Sequence, residues 1–536
     1  MHTVFCGEMM NNQKAADLLF FAGFALSVLQ IWLPAYYITG DGPCHLYNAQ
    51  ILHDLWAHKN IAFYSRFYSE VYQPNPNWMS HLSLALLLFM VNGVVAEKIL
   101  LTCYVVLFVS GFTVLLKRLN SDSPLWRLVV FVFIFHYVLA KGFYNFSFSV
   151  AFLFWLMATW LRYLENKKPG TAVLFFFLAL LTFFAHPMAF AFGCIGCGAL
   201  TVSYSLSAKK NRMKSMGSGL LVLAACLLPC GVLFTRFASS EGGQVHLHLS
   251  RYRILELPDL NCLVNVTGKE VLMVKIIFIV LAVLFVLAIV LKYRKGFAIH
   301  RFDGLLVTAF FAAFLYLWFP DKLFGGSLFI IRAQGIAAIF AVCCISYMLP
   351  PGKIKDVAGL LLFGFFIGLS IIRIGCREVA SEGVGDILSA SKYIKPYSII
   401  LPLDFSPDGK DVHGNVIADR NWLFSHAWQY MGTEKPLIFL DNYEANTGYF
   451  PLVWKEETNP YYHLCTNGAI EAQPPYATIG DYKNKTGVTI DYILMWCYDA
   501  SWLKDEHFRK LYAEIKGGYR IVYTSPTGRT ILLAKQ

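Results

Sequence analysis

The sequence predicts an all-α polytopic membrane domain of about eleven transmembrane helices followed by a small α/β extracytoplasmic domain, on three observations. Of 536 residues, 57% are apolar and only 15% are charged, against roughly 25% charged in soluble domains. Apolar runs of about the length a bilayer requires recur through the first 375 residues. Past residue 376 they give way to short β-prone runs alternating with helical ones. The 45 Phe, 29 Tyr and 12 Trp exceed what a water-soluble core of this length can hide.

The first run covers 16–38. No strongly basic leader precedes it and no small-residue cleavage site follows, so it reads as an uncleaved span. Further runs lie at 94–116, 125–140, 146–164, 171–187, 188–206, 217–237, 271–291, 303–319, 329–349 and 356–374. Between them, 78–92 is too short to cross comfortably and reads as an interfacial helix. Lys and Arg fix the orientation. Lys117, Arg118 and Arg127, then Arg162, Lys167 and Lys168, then Lys209, Lys210, Arg212 and Lys214, fall in alternate short loops. Lys292, Arg294, Lys295 and Arg301, and finally Lys353 and Lys355, continue the pattern. This places the N-terminus in the cytoplasm and everything after Arg373 outside. The net charge of +11 therefore reports topology. A lipid bilayer is the expected partner and nucleic acid is not.

Residues 1–375 form the expected membrane domain, with a first outer loop at 39–93, and 376–536 the outer domain. In the latter, 398–403, 437–440, 489–495, 519–523 and 530–533 read as strands. Residues 384–394, 420–431 and 499–516 read as helical. Most of the thirteen cysteines lie in apolar runs and read as small hydrophobes. The CxxC spacing of Cys194 and Cys197 is mid-helix with no further ligand nearby. Cys262, Cys376, Cys465 and Cys497 face the side where a disulfide is chemically permitted.

The strongest local signal follows the first span, at Tyr37-Ile-Thr-Gly-Asp41-Gly-Pro-Cys-His45-Leu-Tyr. Gly40 and Gly42 permit a tight turn and Pro43 suits a first helical position, which puts Asp41 at a helix N-terminus and His45 one turn on. A carboxylate and an imidazole at this spacing serve as a base with its orienter, or as two ligands of a divalent metal ion, the one candidate cofactor. The plain alternative is that Asp41 only caps the helix.

The stretch from Gly40 to Tyr47, at a membrane exit and ahead of an interfacial helix, resembles the first extracytoplasmic loop of GT-C glycosyltransferases. It is most similar to a signature of poorly characterised bacterial multi-pass families related to them. Lys141-Gly-Phe-Tyr-Asn145-Phe, His186-Pro187 and Gly325-Gly-Ser-Leu-Phe-Ile-Ile-Arg332 are weaker echoes. Pro43 stands where some members carry a second acid, which leaves metal dependence open. The resemblance implies transfer of a sugar from a polyprenyl-phosphate donor to a glycan, lipid or protein acceptor at the outer face, in the cell envelope of a bacterial inner membrane. It implies Asp41 as general base. Arg332 is the first candidate cation for the leaving phosphate, and Arg251 and Arg253 the second. Lys141 either touches the donor phosphate or snorkels to headgroups. His186 is either a site residue or a packing histidine, and His246 and His248 are weaker metal candidates. The run 441–451 combines polar and aromatic groups suited to glycan contact. Competing readings are a transporter or flippase for a lipid-linked or polar solute, and a non-catalytic envelope assembly protein. The former requires charges at mid-membrane depth, which the runs lack; the latter has no need of Asp41.

Overall fold

The computed structural model describes all residues except 1, 120–122, 242–246, 295, 324–325, 412, 466–469, 471 and 473–474, and all their side chains except those of 2–12, 240 and 241. Among the described residues, eight helices are long and apolar enough to cross a membrane: Gln13–Trp32, Gly93–Arg118, Tyr144–Asn166, Pro187–Ser207, Arg212–Ser239, Gly268–Tyr293, Phe329–Met348 and Lys353–Tyr393. The chain is thus a multi-pass membrane protein. Three more of the expected spans are shorter apolar helices, Trp126–Ala140, Pro169–Ala185 and Gly304–Trp318. At 1.5 Å per residue, 15 to 17 residues reach only ~23–26 Å, short of the roughly 30 Å hydrocarbon core.

Two of these departures have local causes. The first helix stops at Trp32 rather than near 38, because Pro34 disfavours helical geometry just before it. Its end is closed by the ammonium of Lys98, which donates to the Pro34 carbonyl at 2.6 Å. The 125–140 segment is a 3₁₀ helix over Trp126–Phe133, then a short α turn over Tyr137–Ala140. It is buried on nearly every side. Its Trp126 donates to Ser346 Oγ at 2.8 Å, and its start lies so close to Gly359 that no side chain fits there. The expected interfacial helix at 78–92 is present as Met79–Leu87.

The last long helix, Lys353–Leu388, continues unbroken for 36 residues, well past the expected end near 374. Beyond it stand two sheets. Strands β1 (Tyr68–Glu70) and β4 (Leu452–Trp454) pair antiparallel, which stitches the 39–93 loop to the C-terminal region. Strands β2 (Ser398–Asp404), β3 (Leu437–Phe439), β5 (Tyr492–Trp496), β6 (Tyr519–Thr524) and β7 (Thr530–Lys535) form a sheet in the order β3-β2-β5-β7-β6. β2 runs parallel to β3 and β5. All three are buried along almost their whole length, as parallel strands covered on both faces are. The five strands of this sheet lie where the sequence predicts them. β1 and β4 are too short to show as runs. The expected helix at 420–431 is a 3₁₀ helix displaced to Ala427–Thr433.

The 39–93 loop is held from two directions. Gly40 N donates to the Ala140 carbonyl at 3.0 Å and Asp41 N to the Lys141 carbonyl at 2.8 Å. Gly142 completes this seat with φ of +93°. A Cβ there would lie 2.5 Å from Asp41 N, so only glycine fits. From the other side, Tyr47 OH donates to the Leu437 carbonyl at 2.8 Å. Asn48 and Asn442 exchange amide hydrogen bonds at 3.0 and 2.7 Å. Buried Glu97 accepts from Tyr144 OH at 2.7 Å and from Tyr430 OH at 2.6 Å, joining two membrane helices to the sheet region.

Two consequences are measurable in detergent by chemical unfolding. Gly142→Ala is expected to cost about 1–3 kcal/mol through backbone strain and the clash with Asp41 N; an unchanged unfolding midpoint would show that the seat yields freely. Tyr430→Phe is expected to cost about 1.5–3 kcal/mol, since it removes a hydrogen bond to a buried charge. A neutral result would mean that water replaces the phenol.

Candidate functional site

A cavity of about 900 Å³ opens between the helical bundle and the C-terminal region, at the upper end of the range for small-molecule sites. Asp41 lines it from the turn just described. The residue occupies the cap position of the Gly42–Trp56 helix, yet its side chain makes no capping hydrogen bond. Among the described residues no hydrogen bond to this carboxylate is formed. Burial pushes its pKa above the ordinary carboxylate value, opposed by His426, His45 and Lys141 nearby. The carboxylate is held ready to accept a proton or a hydroxyl donor.

Two cations face the same cavity. Lys141 follows the Tyr137–Ala140 turn, and its ammonium lies 4.9 Å from the centre of the Trp422 ring. Burial lowers its pKa, with Asp41 acting in the opposite sense. Arg332, on the Phe329–Met348 helix, is only 8% exposed. Its guanidinium stacks on Phe143 at 4.6 Å and Phe146 at 5.4 Å. One nitrogen lies 3.0 Å from His186 Nε2, while Nε has no hydrogen-bond partner. Among the described residues Arg332 has no carboxylate partner. A buried charge without a counter-ion is costly, and this guanidinium retains capacity to pair with one.

The C-terminal region supplies the opposite wall. Asp404 ends β2 and Asp441 lies two residues past β3. Both therefore sit at the carboxyl ends of adjacent parallel strands, where open α/β sheets place their ligand sites. Burial pushes the Asp404 carboxyl up to about 7, so it exchanges protons near neutrality. Asp441 accepts from Trp428 Nε1 at 2.8 Å, from Gln429 Nε2 at 3.2 Å and from His426 Nδ1 at 3.2 Å. It fixes the ring of His426, which also stacks on Tyr443. The carboxylate-oriented imidazole and the Asp41 carboxylate share the cavity. Much of its remaining lining is apolar, with Phe192, Phe234, Phe237 and Phe311 contributed by helices of the bundle.

Of the residues singled out in the sequence, the cavity gathers Asp41, His45, Lys141, His186 and Arg332. Arg251 and Arg253 stand apart. Arg251 is exposed, and Arg253 donates to the Tyr316 carbonyl at 2.9 Å, closing the end of the Gly304–Trp318 helix. His246 lies outside the described residues, and His248 is exposed. The expected pairing of Asp41 with His45 is not formed. His45 Nε2 instead donates to the Gly142 carbonyl at 2.9 Å, and Nδ1 faces Glu444 at 2.5 Å. The cysteines whose side chains are described are all free, Cys262, Cys376, Cys465 and Cys497 included.

Asp404 and His426 escaped sequence reasoning because no spacing links them to the Asp41 motif. Asp441, Tyr443, Tyr449 and Phe450 belong to the polar and aromatic run at 441–451, which was the available signal. No protein-family model matches the chain, and no curated protein matches it in sequence.

Proposed function

We propose that the protein is a GT-C-type membrane glycosyltransferase that moves a sugar from a polyprenyl-phosphate donor to an acceptor at the outer face of a bacterial inner membrane. The observation that carries this reading is the pairing of an unhydrogen-bonded Asp41 carboxylate with the buried, carboxylate-free guanidinium of Arg332 in one cavity. One group accepts a proton and the other accepts an anion. The phenylalanine-lined side of the cavity suits a prenyl chain entering from the bilayer.

In the proposed reaction the acceptor hydroxyl attacks the anomeric carbon and its proton passes to Asp41. The bond between that carbon and the phosphate oxygen breaks, and the electron pair leaves with the lipid phosphate. Arg332 and Lys141 take up the developing negative charge. His426, held by Asp441, lines the same cavity.

The primary test compares envelope glycolipids and glycoproteins by mass spectrometry in a deletion strain complemented with wild type or Asp41→Asn. Wild type is expected to restore a species heavier by one sugar, with turnover of the Asn variant down by about 10²–10⁴-fold. Equal restoration by a membrane-inserted Asn variant would remove Asp41 from catalysis.

The base works only when ionised, and burial raises its pKa. Turnover in proteoliposomes should therefore fall on acidification through a limb lying above the ordinary carboxylate range of about 4. That limb should persist in Asp404→Asn; its disappearance there would assign it to Asp404. Arg332→Leu is expected to lower turnover at least about tenfold while leaving unfolding resistance equal or higher, because an unpaired buried charge is removed. A variant that unfolds readily would mark Arg332 as structural instead.

A further inference from the structure

Beside the cavity lies a second cluster that the proposed transfer does not use. His45 comes from the Gly42–Trp56 helix, His81 from Met79–Leu87, and Glu444 from the 3₁₀ turn Glu444–Asn446. Their exposures are 3%, 0% and 0%. Their nitrogen and oxygen ligand atoms all lie within 4.8 Å of one another. We propose that these three side chains hold a transition-metal dication of the zinc type, which ties the 39–93 loop to the C-terminal region next to Asp41.

The ligand atoms of the three side chains face one another. The Nε2–H of His45 donates to the Gly142 carbonyl at 2.9 Å, which leaves Nδ1 as a bare lone pair in the neutral ring. Nδ1 points at His81 Nε2, 3.2 Å away. His81 Nε2 also lies 2.8 Å from Glu444 Oε2, within hydrogen-bond reach. Glu444 Oε2 accepts from Asn48 Nδ2 at 2.7 Å, while Oε1 has no hydrogen-bond partner although it lies 2.5 Å from His45 Nδ1. Two imidazole nitrogens and a carboxylate thus converge in a buried cluster, each within 4.8 Å of the others.

A dication satisfies all three at once. Its preferred ligands are imidazole nitrogen and carboxylate oxygen, and a ring N–H donated to a backbone carbonyl is the usual support for a ligating histidine. The 3.2 Å between the two ring nitrogens is close to the edge of a tetrahedron with ~2.05 Å metal bonds, about 3.3 Å. The Glu444 oxygens stand nearer, Oε1 2.5 Å from His45 and Oε2 2.8 Å from His81, so the carboxylate would move outward by roughly 0.5–0.8 Å to reach the same edge. Asp41 is outside the set, so the ligands differ from the Asp41–His45 pair the sequence suggests. The inference is independent of the transferase reading, since metal content is read without any turnover.

The experiment measures metal by inductively coupled plasma mass spectrometry on the full-length protein, purified in detergent, stripped with chelator, reloaded with Zn²⁺ and desalted. Wild type and Asp41→Asn are expected to hold about one equivalent, and Glu444→Gln and His81→Ala less than about a tenth. Chelation should lower the unfolding temperature of wild type and leave Glu444→Gln unmoved. Where a variant fails to fold, Co²⁺ added to stripped wild type should develop the intense visible bands of a four-coordinate nitrogen and oxygen site. Absence of stoichiometric metal in wild type, or of those bands, overturns the proposal. So does full occupancy in folded Glu444→Gln and His81→Ala, or loss of metal in Asp41→Asn.

Discussion

Everything at the site depends on a backbone contact. Gly40 and Asp41 spend their amide protons on the carbonyls of Ala140 and Lys141, and Gly142 can close against them only because it has no Cβ. With its amide occupied in this way, Asp41 sits at a helix start without capping it. The same 140–142 segment puts the Lys141 ammonium in the cavity and the Gly142 carbonyl under His45. A cation, a carboxylate and an imidazole are thereby positioned by a few peptide groups, with little freedom for any of them to move alone.

The two halves of the protein are joined by polar groups that water cannot reach. Glu97, Asn48 and Asn442 are all nearly fully buried. Each costs free energy unless its partner is present. Several of those partners come from across the boundary between the 39–93 loop and the C-terminal region. Hydrophobic burial fills the bundle, and this polar seam fixes the register between bundle and sheet. By contrast Arg332 and Asp41 are left with bonding capacity unspent, and both face the cavity. That contrast separates groups that build the fold from groups kept for a ligand.

The bundle was legible because a bilayer imposes a single length scale, and apolar runs report it directly. Where reading failed, tertiary context overrode it: 126–133 is apolar enough to cross but is wrapped by neighbours and winds as a 3₁₀ helix. The Asp41 turn was legible because Gly-Asp-Gly-Pro limits the backbone locally. Its purpose was not, since capping and catalysis place the same residue at the same position. His45 was read with Asp41 because they are one turn apart, but its partners His81 and Glu444 lie 36 residues and nearly 400 residues away. Asp404 and His426 carry no motif at all. Asp404 becomes visible only when the parallel pairing of β2 and β3 sets its strand end beside that of Asp441, and His426 only through its bond to Asp441.

The pairing of β1 with β4 has a consequence in time. Tyr68 to Glu70 leave the ribosome early, and their partners Leu452 to Trp454 follow only after nearly 400 further residues. At 5–20 residues per second that interval is roughly 20–80 s. For nearly all of it Asn48 is already made while Asn442 and Glu444, which its amide bonds, do not yet exist. The nascent loop must therefore stay hydrated until the last spans are inserted and the sheet closes over it. Completion of the cavity therefore waits for the C-terminal region that forms its opposite wall.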